Sequence, residues 1–172
     1  MNFTEILSDK SLKPKQITEK LCDYLVNNPE QLNELIAFAE KSTDSAKATC
    51  IEAIEFATKK NTSIANQKMF DFVVNSLREK APRVKWESAK VIANTVFVFS
   101  KNLDDSISNL LINTEHTGTV VRWSAASALG EIVKLKTKHN KELIPAIEAI
   151  CKREEKKSIV KIYATALKKV QA

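Results

Sequence analysis

Apolar residues recur along the chain with the spacing of helices that bury one face. In the clearest stretch, Val121 is followed by apolar or small residues three, four, seven, eight and eleven positions later, the last being Ile132. This spacing predicts an amphipathic helix. The small side chains of Ala125 and Ala128 within the stripe would let a neighbouring helix approach closely.

The same pattern returns with a period of 37 or 38 residues. The segment 84–93 precedes the segment 121–130 by 37 residues, and both begin with an aliphatic residue, a basic residue and tryptophan. Weaker copies begin 38 residues upstream at Ala46 and 38 residues downstream at Ile159. A fixed period of this length indicates an array of structural repeats.

Each of these helices is preceded by a second predicted helix, beginning shortly after an asparagine, which is a favoured N-cap residue. The preceding helices are predicted at 29–41, 63–79, 103–114 and 141–153. The repeating unit is therefore a helical hairpin. Because one hairpin cannot cover its own apolar face, several must stack against each other.

The sequence predicts about four such hairpins in one continuous domain. An N-terminal segment, 1–28, would carry a capping helix, and the repeats would occupy about 29–60, 61–100, 101–137 and 138–172. The outer repeats depart from the pattern: Ala46 is not bulky, and Val160 stands where the other repeats have a basic residue. Atypical repeats are common at the ends of such arrays.

The third repeat resembles a HEAT repeat. A first helix and a polar turn lead into Val-Arg-x-x-Ala-Ala-x-Ala-Leu-Gly at 121–130. In the fourth repeat, Pro145 stands where many HEAT repeats carry a proline early in the first helix. The resemblance covers roughly 29–172. It implies an all-α, armadillo-type fold, a right-handed α-α superhelix whose second helices line the concave side, and a scaffold or protein-binding function.

Tryptophans and lysines mark the predicted binding surface. At about 100° per residue, Trp123 lies opposite the apolar stripe of its helix. Exposed aromatic residues beside lysines are typical of binding surfaces, although each indole could instead pack against the next second helix. The predicted partner-binding residues of the concave face are Trp86, Lys90, Phe97, Trp123, Ser127 and Lys134. Further lysines near this face, interrupted by Glu52 and Glu55, are Lys59, Lys161 and Lys168.

Three basic residues occupy one position in successive repeats: Lys47, Lys85 and Arg122. Each follows an acidic residue by six or seven positions, and those residues are Glu40, Glu79 and Glu115. One interpretation is an inter-repeat ion-pair ladder that ties each turn to the next helix. The other is a basic stripe for an acidic partner. We adopt the ladder.

The composition argues against catalytic, metal-binding and cofactor-binding functions. The 172 residues include only 2 glycines, which leaves no phosphate-cradling loop. His116 and His139 lie at predicted helix ends, away from any cysteine or carboxylate cluster. We therefore expect no catalytic residue, no metal site and no cofactor.

The 3 cysteines form no Cys-x-x-Cys pair, and the charged stretch 1–20 contains no apolar run of signal-peptide length. No segment approaches the roughly 20 apolar residues of a membrane helix. We expect a cytoplasmic monomer that does not enter membranes.

The sequence thus predicts a non-enzymatic scaffold module that binds a protein or peptide with acidic and apolar groups in its concave groove. The alternative is nucleic-acid binding, since the two tryptophans and the net charge of +6 resemble HEAT-like DNA alkylation-repair glycosylases. Against that alternative, the sequence places no acidic residue beside the tryptophans in a catalytic position. A third possibility is a lyase-like helper similar to the HEAT-like phycobilin lyases, but no residue points specifically to it.

Overall fold

The computed structural model describes residues 2–171, which contain ten α-helices and no strand. The helices are α1 (Phe3–Ser8), α2 (Pro14–Asn27), α3 (Leu32–Glu40), α4 (Asp44–Lys60), α5 (Gln67–Ser76), α6 (Pro82–Thr95), α7 (Asp104–Asn113), α8 (Thr119–Lys134), α9 (Asn140–Arg153) and α10 (Lys157–Gln171). No helix within this range is long and apolar enough to cross a membrane.

Local capping chemistry sets several helix starts. Thr43 Oγ1 accepts a hydrogen bond from the backbone N–H of Ala46 at the start of α4, and Asn66 Oδ1 accepts one from Met69 at the start of α5. Pro82 stands in the first turn of α6, where its missing N–H leaves no bond unmade. Such caps satisfy backbone donors that have no partner inside the helix.

Two first helices begin later than the sequence pattern predicts. Short 3-10 turns, Pro29–Gln31 and Thr62–Ile64, occupy the starts predicted for α3 and α5. The asparagine expected to cap the first of these helices does not do so. Asn28 Nδ2 instead donates to the Tyr24 carbonyl, 2.9 Å away, at the end of α2.

The helices form two layers. The inner layer consists of α2, α4, α6, α8 and α10, each packed along its neighbour, whereas α3, α5, α7 and α9 form an outer layer whose members contact one another less. The tighter packing of the inner layer is typical of the concave side of a solenoid. The architecture is a helical repeat solenoid, and the predicted fold class is confirmed.

The core lies between the two layers and continues through the whole array. Side chains with no or almost no exposed surface come from every inner helix, and examples are Leu21, Ile54, Ile92, Leu129 and Tyr163. At the N-terminal end, α1 packs on α2, and the Phe3 ring lies edge-on to the rings of Tyr24 and Phe38. The segment before residue 29 therefore contributes a short helix as well as α2 to the array.

Candidate functional site

Two of the three recurring basic residues bind carboxylates of the following hairpin. Lys47 Nζ lies 2.9 Å from Glu79 Oε1, and Arg122 Nε lies 2.9 Å from Glu154 Oε2. The hydrogen bond from Arg122 is the main cause of the lowered pKa of the Glu154 carboxyl. These contacts join α4 to the end of α5 and α8 to the end of α9.

Lys85, the third residue of this set, has neutral partners. Its Nζ donates to the Leu77 carbonyl at 2.9 Å and to Asn113 Oδ1 at 3.0 Å. Asn113 Nδ2 also donates to the Leu77 carbonyl, at 3.1 Å. Burial lowers the pKa of Lys85, and the nearby charge of Glu79 opposes that effect.

The pairings differ from those that sequence spacing suggested. Glu79 precedes Lys85 but pairs with Lys47, and Glu115 precedes Arg122 but pairs with Arg153. The reason is geometric: each basic residue begins a second helix and points toward the next hairpin. The ion pairs therefore run forward along the array, whereas Lys85 and Arg122 also donate hydrogen bonds back to carbonyls of their own turns.

A buried charged cluster links α4 to α6. Glu55 and Glu87 are 4% and 3% exposed, and both carboxylates face Lys90. The Lys90 ammonium lies 2.9 Å from Glu87 Oε2 and 3.5 Å from Glu55 Oε2. One ammonium group thus serves two buried carboxyl groups.

Trp86 belongs to the same cluster. Its indole Nε1 donates to Glu87 Oε1 at 2.7 Å, and Trp86 itself is half-buried. Burial raises the pKa of Glu87 despite the opposing hydrogen bonds from Lys90 and Trp86. Burial lowers the pKa of Lys90, but its contacts with Glu87 and Glu55 outweigh this and raise it.

A second polar group on the same helices extends the cluster toward α2. Arg83 Nη2 lies 2.8 Å from Glu52 Oε2, which also accepts a hydrogen bond from Thr18 Oγ1 at 2.9 Å. Asn94 Nδ2 donates to the backbone carbonyl of Glu55 at 3.1 Å. The α2–α4–α6 part of the array is therefore tied together by polar contacts as well as by its core.

The predicted concave-face residues have different environments. Trp123 is 43% exposed, whereas Lys90 is held by two carboxylates. Trp86 and Trp123 make no ring contact within the described part of the chain, so the two indoles do not stack. Phe97 is 57% exposed but lies beyond the end of α6 at Thr95, in the turn that follows the helix.

Ser127 and Lys134 line a groove between α8 and α10 with a volume of about 310 Å³. No residue of the outer layer lines it, which places it on the inner side of the array. Its lining residues are Ser127, Gly130, Glu131, Lys134, Ser158, Lys161, Ile162, Thr165, Ala166 and Lys169. The groove lies one repeat further along than the position between α6 and α8 that the two tryptophans suggested.

Gly130 permits the close approach of α8 to α10 at the base of this groove. A Cβ atom at that position would lie 3.4 Å from Ala166 Cβ and 3.7 Å from Ile162 Cγ2. The apolar base of the groove therefore consists of the α8 backbone at Gly130 and the side chains of Ala166 and Ile162 from α10. Lys134 is turned toward Glu131, whose carboxylate lies 2.5 Å from its ammonium group.

The reactive side chains are largely inaccessible. Burial raises the pKa of Cys50 to about 12, so this thiol stays protonated at neutral pH. Among residues 2–171, no three histidine, cysteine or acidic side chains are grouped so that they could hold a metal ion. The charged groups that do cluster are carboxylates paired with lysine or arginine.

No family model matches the sequence, and no curated protein does so. Solved structures match its fold. An engineered protein superposes with a TM-score of 0.73 at 16% identity, over 99% of this chain and 80% of that one. A designed armadillo repeat protein in complex with the peptide (KR)4 gives 0.69 at 15% identity, over 98% and 80%.

A third structure, of computationally designed armadillo repeat proteins for modular peptide recognition, gives a TM-score of 0.64 at 17% identity, over 97% of this chain and 80% of that one. The fold is an armadillo/HEAT-like solenoid. The predicted resemblance is confirmed at the level of architecture. Sequence identities this low establish only the similarity of fold.

Sequence reasoning missed part of the solenoid's inner-face chemistry. It placed no acidic residue beside the tryptophans in a catalytic position and did not name Glu87, whose carboxylate accepts the Trp86 indole N–H. It named Lys168 near the inner face, and the neighbouring Lys169 lines the α8–α10 groove. Helix periodicity gave no signal for this contact, because adjacent positions point about 100° apart on a helix.

Proposed function

We propose that this solenoid is a non-enzymatic module that binds a protein or peptide along the inner face formed by α2, α4, α6, α8 and α10. The observation that carries the proposal is the exposure of Trp123, at 43%, one helical turn from Ser127 and the α8–α10 groove. Large exposed aromatic side chains are enriched among residues that dominate binding energy.

The neighbouring charges support a binding role rather than catalysis. Glu55 and Glu87 lie under Lys90, and Glu154 is held by Arg122, so these groups stiffen the helix framework. A preformed surface loses less conformational entropy when a partner binds. Two of the similar folds belong to designed armadillo repeat proteins, one in complex with the peptide (KR)4 and one designed for modular peptide recognition.

We also propose that the partner carries acidic and apolar groups and that the protein acts as a monomer in the cytoplasm. Cys22, Cys50 and Cys151 are free thiols, and two of them are buried. Unpaired thiols are typical of a reducing compartment. The net charge of +6 favours encounter with acidic molecules.

A peptide-display selection on the full chain tests the binding role. We expect the wild type to enrich peptides, and Trp123→Ser to weaken their binding by about tenfold, the loss typical of a central aromatic contact. The matched control is Ile112→Ser, because Ile112 is 66% exposed but lies on the outer layer. It should leave binding within about twofold.

Two outcomes would overturn the proposal. One is the absence of any enriched peptide. The other is binding to oligonucleotides that falls steeply with salt while no peptide is retained, which would favour the nucleic-acid function instead.

A further inference from the structure

The groove between α8 and α10 has its own charge pattern. Lys161 lies toward one end, Lys134 and Lys169 lie toward the other, and the base between them is formed by Gly130 and Ala166. Glu131 is the acidic residue of the lining, and its carboxylate is paired with Lys134. Lys161 and Lys169 are exposed and have no ion-pair partner within the described chain.

The groove therefore presents two free ammonium groups on either side of an apolar base. Lys161 and Lys169 are eight positions apart on α10, which corresponds to about 12 Å along a helix. In an extended peptide, residues i, i+2 and i+4 point to one side and span about 13 Å. Two acidic side chains flanking one apolar side chain at this spacing match the groove.

We propose that the α8–α10 groove binds an extended acidic segment of a partner protein, with the pattern acidic-x-apolar-x-acidic. The two carboxylates bind Lys161 and Lys169, and the apolar side chain packs against Gly130, Ala166 and Ile162. This inference rests on the proposed binding function and names the chemistry of the partner at one part of its inner face.

Nucleic acid fits this groove less well than an acidic peptide does. A bound nucleic-acid strand needs a series of cationic contacts to its phosphates, whereas only Lys161 and Lys169 are unpaired in the lining. Glu131 adds a carboxylate to the lining, and the base is apolar rather than aromatic. Stacking platforms for unpaired bases require aromatic side chains, which the lining does not contain.

The test uses the full chain and a labelled synthetic peptide containing Glu-Ser-Leu-Ser-Glu, with binding followed by fluorescence anisotropy. Versions with Gln-Ser-Leu-Ser-Gln and Glu-Ser-Ser-Ser-Glu probe the charges and the apolar side chain separately. We expect each to bind at least about fivefold more weakly. Exposed ion pairs contribute little individually, so the effect of both carboxylates together is the informative quantity.

Charge reversal locates the site. Lys161→Glu/Lys169→Glu should weaken binding of the acidic peptide by at least about tenfold, because it replaces two attractions by two repulsions. The matched control is Lys157→Glu/Lys168→Glu, which changes the net charge equally on exposed positions of α10 outside the groove. The control should change binding by less than about threefold, and circular dichroism should show both variants folded.

Three results would overturn the proposal: equal binding of the Glu and Gln peptides, equal weakening by the two double variants, or competition by an oligonucleotide of the same charge as strong as that of the peptide. The proposed binding function is tested separately from this site. If displayed peptides bind in a manner that depends on Trp123 but not on Lys161 and Lys169, the binding module remains and the acidic-segment site is wrong.

Discussion

The Tyr163 hydroxyl is buried in the last hairpin without a hydrogen-bond partner in the described chain. Burial is the largest cause of the raised pKa of this phenol, followed by the nearby charges of Cys151 and Glu154. The group therefore stays protonated and unsatisfied. An unsatisfied buried hydroxyl destabilises the folded state by about 1–3 kcal/mol.

Replacing Tyr163 by phenylalanine should therefore raise the free energy of unfolding, by about 1 kcal/mol. The aromatic ring keeps its packing, and only the unsatisfied oxygen is removed. Chemical denaturation monitored by circular dichroism measures the difference. Tyr24→Phe is the control, since Tyr24 is half-buried and should show little change. A loss of stability at Tyr163 would mean that its hydroxyl has a partner.

Glu154 makes stability depend on pH. The hydrogen bond from Arg122 lowers its pKa in the folded protein below the ordinary value of 4.5. Its contribution is therefore fully present above about pH 4.5 and is lost as the pH falls toward the lowered value. Hydrogen bonds to charged groups are worth about 1.5–3 kcal/mol, and partial exposure of Arg122 reduces this.

We expect Glu154→Gln to lower the unfolding free energy by about 1–2 kcal/mol at pH 7, and by clearly less at pH 3. Denaturant titrations at both pH values measure the two differences. Glu155→Gln, a change at the exposed neighbouring position, should have little effect at either pH. An unchanged difference at pH 3 would show that the Arg122 contact does not depend on the Glu154 charge.

At the scale of elements, polar contacts decide how α4 and α6 are held together. Lys90 is 29% exposed in its side chain, whereas the Glu55 and Glu87 side chains beneath it are each 5% exposed. Removing one partner of a buried ion pair leaves an uncompensated charge, which destabilises by about 3–5 kcal/mol. Partial exposure of Lys90 lowers this figure.

Lys90→Met should consequently destabilise the protein by about 2–3 kcal/mol at pH 7. The loss should be smaller near pH 4, where the Glu87 carboxyl, whose pKa is raised by burial, becomes protonated. Lys59→Met on the exposed surface of α4 is the control. Adding Glu87→Gln to Lys90→Met should recover part of the loss, and failure to do so would place the damage in packing rather than in charge.

At the scale of the whole molecule, stability should vary along the array. In a solenoid each hairpin contacts only its neighbours. The central helices α6 and α8 are flanked by inner-layer helices on both sides, whereas α10 has α8 alone, and α1 has only 6 residues. Local opening should therefore begin at the ends of the array.

Hydrogen exchange followed by mass spectrometry tests this order. We expect the amides of α6 and α8 to exchange slowest, those of α2 and α10 faster, and those of α1 fastest. Exchange of α1 as slow as that of α6 would contradict nearest-neighbour stability and indicate that the array opens as one unit.

The helices and their stacking follow from the sequence pattern, apart from the 3-10 turns that delay the starts of α3 and α5. A helix is closed by hydrogen bonds four residues apart, so the apolar spacing around Val121 and Val84 was sufficient to predict α8 and α6. The 38-residue period then required neighbouring hairpins to cover each other. These are local rules that need no knowledge of distant residues.

The tertiary structure alone decided which side chains meet. Lys90 is held by Glu55 from the previous hairpin, and Gly130 lies against Ala166 from the next, contacts between residues 35 and 36 positions apart. Lys168 and Lys169 differ by one position, yet the rotation of α10 about its own axis brings only Lys169 into the groove. Neighbouring residues point about 100° apart on a helix, so turning α10 by that angle would exchange the positions of Lys168 and Lys169. The orientation of α10 is set by its packing against the whole face of α8, which no local sequence pattern specifies.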